Sequence, residues 1–199
     1  MTDRFQNKYR IPSARAAWHG YDGGTYFITI CTKNREHYFG EIVVDNNGEP
    51  QMQLSEIGKT ATDNLNNVSV HYPYAEIPLF VIMPNHIHVI VIIDGDKFNN
   101  MNSPVETMRA SSLQQRLKSD VINEKMQIIS RKRGPLTIVV GGIKSAVTKI
   151  AHENNIEFAW QPRFHDRIVR DQNELNRIAE YIEKNVANWQ IDELNNKTL

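Results

Sequence analysis

Two short patterns in this 199-residue chain carry side chains suited to chemistry: His86 and His88 in HIHVIVII, and Tyr181 and Asn185 in AEYIEKN. Histidines at i and i+2 of a strand point to one face, roughly 6.6 Å apart along the chain, so both imidazoles can reach a single ion. The same spacing also serves two histidines that only pack or hydrogen-bond. Pro84-Asn85 precedes the pair, and proline has no N–H for a ladder, which leaves His86 near a sheet end where a ligand can enter. Tyr181 and Asn185, four residues apart, are neighbours on one helix surface, with Arg177, Lys184 and Asn188 beside the apolar stripe rather than in it. A tyrosine so placed has an accessible hydroxyl close to cations that favour phosphate. The competing reading is an amphipathic ring that closes the edge of a core.

The elements that must position these residues follow from periodicity and turn chemistry. TYFITICT, Thr25 to Thr32, is β-branched and aromatic and reads as a strand in which Cys31 is a small strand residue. Glu41 to Asp45 and Gln51 to Leu54 form a hairpin through Asn46-Asn47-Gly48, a turn composition that tolerates positive φ. Ser55 offers an N-cap to a helix with Ile57, Ala61, Leu65 and Val68 inward. Ile77 to Met83 and His86 to Ile93 are apolar strands, the second apolar on both faces and therefore central. Asp94 to Pro104 has loop composition, and Ser111 to Ser130 is only loosely periodic, so about 94–134 reads as a variable insertion.

Leu136 to Asn154 predicts a second helix, in which Gly141-Gly142 costs about 1 kcal/mol each against alanine and suggests a close approach to the backbone. Phe164 to Val169 predicts a last strand. Asp171 and Glu174 then cap a helix with Leu175, Ile178, Ile182 and Val186 on one stripe. Strands and helices alternate too irregularly for a doubly wound parallel sheet, so the expected class is α+β, an antiparallel sheet with helices packed against it. The expected organisation is a basic arm over 1–20 and a single domain over 21–199.

One cysteine excludes an internal disulfide framework and a multi-cysteine zinc site. No apolar run approaches the ~20 residues of a membrane span, and the polar N-terminus lacks a signal-peptide core, so no membrane partner and a cytoplasmic location are expected. Lys plus Arg and Asp plus Glu number 23 each, a neutral sum that by itself disfavours a nucleic-acid partner. The distribution is more informative: residues 36–96 carry nine acids against Lys59 alone, leaving an excess of eight basic residues elsewhere. Arg131, Lys132, Arg133, Lys144 and Lys149 fall in a stretch with no acid at all, consistent with one basic face or with a solvated loop.

Taken together, the segments GGTYFITICTKNREHYFGEI, VIMPNHIHVIVII, GGIKSAVTK and WQPRFHDRIVRDQNELNRIAEYIEKNVANW resemble the HUH single-tyrosine transposases, specifically the REP-associated tyrosine transposases and their close relatives. The blocks span most of residues 21–189 in family order. The resemblance implies a ferredoxin-like, RRM-like HUH endonuclease fold. It places the HUH pair on His86 and His88 with Ile87 between them, the nucleophile on Tyr181, and a metal-completing amide on Asn185. Relatives commonly read Asn-Pro where this chain has Asn185-Val186, so the end of the helix is expected to differ.

The activity so implied is metal-dependent, sequence- and structure-specific cleavage and rejoining of single-stranded DNA through a covalent 5′-phosphotyrosine, as in DNA transposition. The implied cofactor is a divalent ion, Mg2+ or Mn2+, with manganese serving at least as well because imidazole and carboxamide are softer than the usual magnesium ligands. The implied partner is single-stranded DNA, a REP-like hairpin with a flanking guide sequence, which would make the protein nucleoid-associated when bound. Both monomers and homodimers are compatible with the family. Candidate phosphate contacts are Lys144, Lys149, Arg163, Arg167, Arg170, Arg177 and Lys184, with Arg10 and Arg15 of the arm. Trp160 is expected as a buried anchor rather than a base-stacking ring. The alternative is a domesticated module that binds hairpin DNA or RNA without cutting it, and a third reading is a water-using phosphoesterase that leaves Tyr181 idle.

Overall fold

The computed structural model describes residues 23–101 and 134–195. The arm at 1–20 with Arg10 and Arg15, and residues 102–133 of the expected insertion, lie outside the described residues. In chain order the elements are β1 (Gly24–Cys31), β2 (Gly40–Val44), β3 (Pro50–Leu54), α1 (Glu56–Asn66), the short α2 (Val68–His71), β4 (Ala75–Met83), β5 (His86–Ile93), α3 (Gly95–Met101), α4 (Pro135–Glu153), β6 (His165–Ile168) and α5 (Gln172–Lys184). Four strands form one sheet in the order β4-β5-β1-β6, and β2 and β3 pair separately as the expected hairpin. Every neighbouring pair in the main sheet is antiparallel. With the hairpin set aside, this is a β-α-β-β-α-β path with an interleaved strand order, which is the ferredoxin-like arrangement.

Alternation along β5 divides the molecule. Ile87, Val89, Val91 and Ile93 point to the larger core, which they share with Tyr26, Ile28 and Ile30 of β1, with Ile57, Ala61 and Leu65 of α1, and with Val139, Ile143 and Val147 of α4. His86, His88 and Ile90 point the other way. There Ile90 joins Val169 and the α5 residues Leu175, Ile178, Ala179 and Ile182 in a smaller cluster, with Phe27, Leu79 and Val81 packed against it. α5 therefore covers the sheet face opposite to α1 and α4. Burial of Leu175, Ile178 and Ile182 contributes about 1.5–3 kcal/mol each to holding the helix there.

Local signals account for the element ends. Ser55 accepts from Gly58 N at 3.1 Å to start α1, and Asp171 accepts from Glu174 N at 2.8 Å to start α5. Gly142 sits where a Cβ would lie 1.8 Å from Tyr72 Oη, so glycine there admits the tyrosine that follows α2, whereas nothing lies within 4 Å of a Cβ on Gly141. One expectation is corrected: Gly95–Met101, read as loop from its composition, is helical. Asp94 accepts from Lys97 N at 3.0 Å, its own N–H reaches Tyr74 O at 2.8 Å, and Phe98 packs its ring 4.9 Å from that of Tyr74. A cap and one aromatic contact outweigh a polar sequence that shows no period.

Candidate functional site

β5 lies between β4 and β1, so His88 stands opposite Val81 on one side and Thr29 on the other, and His86 opposite Met83 and Cys31. Both histidines are buried, and their ring centroids are 4.5 Å apart. His86 Nδ1 lies 2.7 Å from Asn85 Oδ1. Because an amide oxygen only accepts, Nδ1 carries the proton in this bond and Nε2 keeps its lone pair. His88 Nδ1 lies 2.9 Å from Thr29 Oγ1, a hydroxyl that accommodates either tautomer and leaves Nε2 without a proton when it accepts. Phe27 stacks on the His88 ring at 5.2 Å and fixes its plane.

Burial pushes the pKa of His86 well below the usual imidazole range, reinforced by His88 and by the Arg35 guanidinium, and burial pushes that of His88 down to about 4. Both rings are therefore neutral at pH 7, the protonation state a metal requires.

Tyr181 follows Ile178 by three residues and so stands at the rim of the buried stripe of α5, 42 % exposed. Its hydroxyl lies 3.1 Å from His88 Nε2, and its ring meets Phe27 edge-on at 6.1 Å. Burial, and then the charge of Asp192, raise the phenol above its usual pKa, partly opposed by the Asn185 amide. Asn185 closes α5, is 1 % exposed, and directs Nδ2 at Asp192 Oδ2, 3.4 Å away.

Beyond it the chain turns back. A 3-10 turn at Trp189–Ile191 brings the Trp189 ring within 6.1 Å of His86 and delivers Asp192 to the histidines. One ligand atom from each of His86, His88 and Asp192 lies within 4.8 Å of the other two. Sequence reasoning missed Asp192, because it follows the helix in a stretch without periodicity, and only the return of the chain brings it near His86. Asn85 and Thr29, the partners of the two imidazoles, were likewise not singled out.

The residues fit a divalent ion. Two buried polar atoms in the cluster, His86 Nε2 and Asn185 Oδ1, have no hydrogen-bond partner among the described residues. Such orphans cost about 1–3 kcal/mol each unless something takes their lone pairs. Two neutral imidazoles, a carboxylate and an amide oxygen form a mixed nitrogen and oxygen donor set of the kind that suits a first-row divalent metal.

The candidate phosphate contacts divide. Arg167 stands opposite Phe27 in the register, so it shares the face of His88, and it pairs with Glu174 of α5 at 2.6 Å. Arg163, with φ 68°, Arg170 and Arg177 are exposed at the flanks of β6 and on α5. Lys184 pairs with Glu180 one turn back. Lys144 donates to the carbonyls of Gln161 and Arg163 at 2.9 Å each, a tie between α4 and the β6 approach that its sequence position did not suggest. Trp160 donates to Lys144 O at 3.1 Å and packs against Phe39 and Phe158, so its ring is an anchor. Lys149 pairs with Glu153 at 3.7 Å and lines a surface concavity of about 520 Å³ with His152. That concavity lies on α4, in the layer across the sheet from Tyr181.

Fold and site together define a class: a ferredoxin-like sheet whose central strand presents a His-x-His pair to a carboxylate and to a tyrosine on a covering helix. No family model matches the chain. It is 34 % identical over 172 residues to a protein of Haemophilus influenzae described only as uncharacterized, a match spanning 86 % of this chain and 84 % of that one. The chain belongs to the same family as that Haemophilus influenzae protein. Among solved structures, a REP-associated tyrosine transposase bound to a REP hairpin aligns with TM-score 0.46 and 18 % identity, over 83 % of this chain and 67 % of that one. A structure from Deinococcus radiodurans assigned as a transposase aligns with TM-score 0.34 and 14 % identity, over 85 % of this chain and 95 % of that one. Among the described residues no helix is long and apolar enough to cross a membrane.

Proposed function

We propose that this protein is a metal-dependent nickase and strand transferase for single-stranded DNA, with Tyr181 as nucleophile and His86, His88 and Asp192 as the metal-holding groups, Asn185 beside them. The observation that carries the reading is the 3.1 Å approach of Tyr181 Oη to His88 Nε2, at the edge of a buried cluster with unclaimed lone pairs. A divalent ion held there would act as a Lewis acid on the scissile phosphate. Tyr181 Oη forms a bond to phosphorus as the P–O3′ bond breaks. The phenol loses its proton and the departing oxygen gains one, leaving a 3′-hydroxyl and a 5′-phosphotyrosine. Because the new ester conserves the phosphodiester, attack by another 3′-hydroxyl rejoins strands without a further energy source.

The phenol is protonated at neutral pH, since burial and Asp192 hold its pKa above the ordinary tyrosine value. Asn185 Nδ2 opposes that shift and so favours the developing phenolate. The Tyr181 ring meets Phe27 edge-on and packs 5.1 Å from the His88 ring, which holds its hydroxyl beside the cluster. Arg177, exposed on α5 one turn before Tyr181, is the cation we assign to the DNA backbone beside the nucleophile, since Arg167 is already paired with Glu174, and a folded hairpin with a flanking guide is the substrate that the sequence resemblance suggests.

Incubation of hairpin-bearing single-stranded DNA with the protein and Mn2+ should give a covalent protein–DNA adduct on a denaturing gel, lost in Tyr181→Phe. An adduct that persists in the variant removes Tyr181 as nucleophile. Cleavage with no adduct points to a water-using phosphoesterase, and tight binding with neither to a non-cleaving hairpin-binding module.

A further inference from the structure

Asn85 lies between the two halves of the cluster and touches both. It is fully buried in the Pro84-Asn85 turn that opens β5. Its backbone carbonyl accepts from Thr32 N and Thr32 Oγ1, both at 2.9 Å, which pins the turn to the end of β1. Its side chain faces two ways. Oδ1 accepts from His86 Nδ1 at 2.7 Å, while Nδ2 donates to the carbonyl of Leu194 at 2.8 Å and more weakly to that of Arg35 at 3.4 Å. Leu194 is two residues past Asp192, and Leu194 N in turn donates to Asp192 Oδ1 at 2.7 Å. A single amide thus sets the tautomer of one imidazole and also holds the segment that carries the carboxylate, 109 residues away in sequence.

We propose that Asn85 is a positioning residue that couples His86 to Asp192, so that the return segment Trp189–Asn195 is locked in place as a third arm of the metal site. The inference rests on the metal-dependent reading above. An amide is the side chain that does this at neutral charge, because one end must accept and the other must donate. A carboxylate at 85 would keep the bond to His86 Nδ1, as in the carboxylate–histidine–metal arrangement, but would face the Leu194 carbonyl oxygen with a second acceptor. Asn85→Asp therefore keeps the histidine and releases the arm.

The test is Mn2+ affinity of the full chain without DNA, read by competition with a chelating dye, for the wild type, Asn85→Asp, Asp192→Asn and the double variant. Outer-shell changes of this kind lower metal affinity roughly 10–100-fold. Asn85→Asp should fall in that range and Asp192→Asn, which alters a proposed ligand itself, should lose at least as much, and the double variant should lie within about 3-fold of the weaker single one, because both remove the same arm. Additive losses, or wild-type affinity in either single variant, overturn the coupling.

Should Asn85→Asp fail to fold, the wild type still carries the test. Mn2+ should slow amide exchange across Trp189–Asn195, and should not do so in Asp192→Asn; exchange that Mn2+ leaves unchanged in the wild type overturns the proposal. Coupled metal binding without any covalent DNA adduct would sink the nickase reading and leave this one standing, whereas a wild type that binds no Mn2+ overturns both.

Discussion

The buried histidines make the stability of the metal-free protein depend on pH in a defined window. His88 is 3 % exposed, and burial pushes its pKa from 6.5 down to about 4. In the unfolded chain it takes a proton as pH falls through its ordinary value, and in the folded chain it does not do so until much lower. The stability it contributes is therefore complete above about pH 7, declines as pH falls below the unfolded value, and is gone below the folded one. Integrating between those two pKa values gives a loss of about 2 kcal/mol from pH 7.5 to pH 5, approaching about 3 kcal/mol in more acidic solution. His86 is shifted in the same direction by burial, His88 and Arg35 and adds to the loss. Urea unfolding in a chelator at several pH values measures the total. Since carboxylates titrate in the same range, the comparison that isolates His88 is with His88→Gln, whose loss between pH 7.5 and 5 should be smaller by about 2 kcal/mol. An identical pH dependence in the two proteins refutes the claim that His88 is held neutral by burial.

Thr29→Val removes the hydroxyl that lies 2.9 Å from His88 Nδ1 while keeping the shape of the side chain. It should weaken Mn2+ binding roughly 10–100-fold in a dye-competition titration, and unchanged affinity would mean that stacking on Phe27 alone orients the ring. The paired glycines of α4 should respond with opposite signs. Gly141→Ala, where a Cβ meets nothing within 4 Å, should gain up to about 1 kcal/mol from helix propensity. Gly142→Ala should lose about 1–3 kcal/mol, since its Cβ would fall 1.8 Å from Tyr72 Oη and the ring must move. Thermal unfolding decides, and a stabilising Gly142→Ala contradicts the packing described.

What the sequence made legible is what periodicity and caps encode. Alternation in HIHVIVII put the two imidazoles on one face of a central strand, and the stripe Leu175, Ile178, Ile182 set Tyr181 at its edge, because both depend only on the repeat of a single element. The Gly141-Gly142 pair was readable in part for a related reason: a glycine inside a helix is costly enough to suggest a neighbour, and Gly142 has one in Tyr72, whereas nothing lies within 4 Å of a Cβ on Gly141. α3 was not legible, since its start depends on Asp94 finding Tyr74 across the fold. Asp192 and Asn85 were hidden more deeply. Neither has a spacing relation to His86 that a strand or helix would impose, and their roles arise from a hydrogen bond that spans most of the chain.

The contrast bears on how such a site is assembled. The two imidazoles ride on the central strand of the main sheet, packed from behind by the larger core, so their separation is set by the pleat and resists change. Tyr181, the proposed nucleophile, and the Asp192 carboxylate belong to α5 and the chain after it, which rest on the smaller cluster of Ile90, Val169, Leu175, Ile178, Ala179 and Ile182. Half of the proposed centre is thus as rigid as the fold, and the other half is only as well placed as the docking of α5 and the return segment. The Asn85 amide spans the division with side-chain hydrogen bonds that an ion would leave in place, whereas the Tyr181 hydroxyl reaches across to the same His88 Nε2 lone pair that an ion would take. For in-line chemistry, where displacements near 1 Å cost orders of magnitude in rate, these few bonds matter more to turnover than to stability. A single neutral hydrogen bond adds only about 0.5–1.5 kcal/mol to folding.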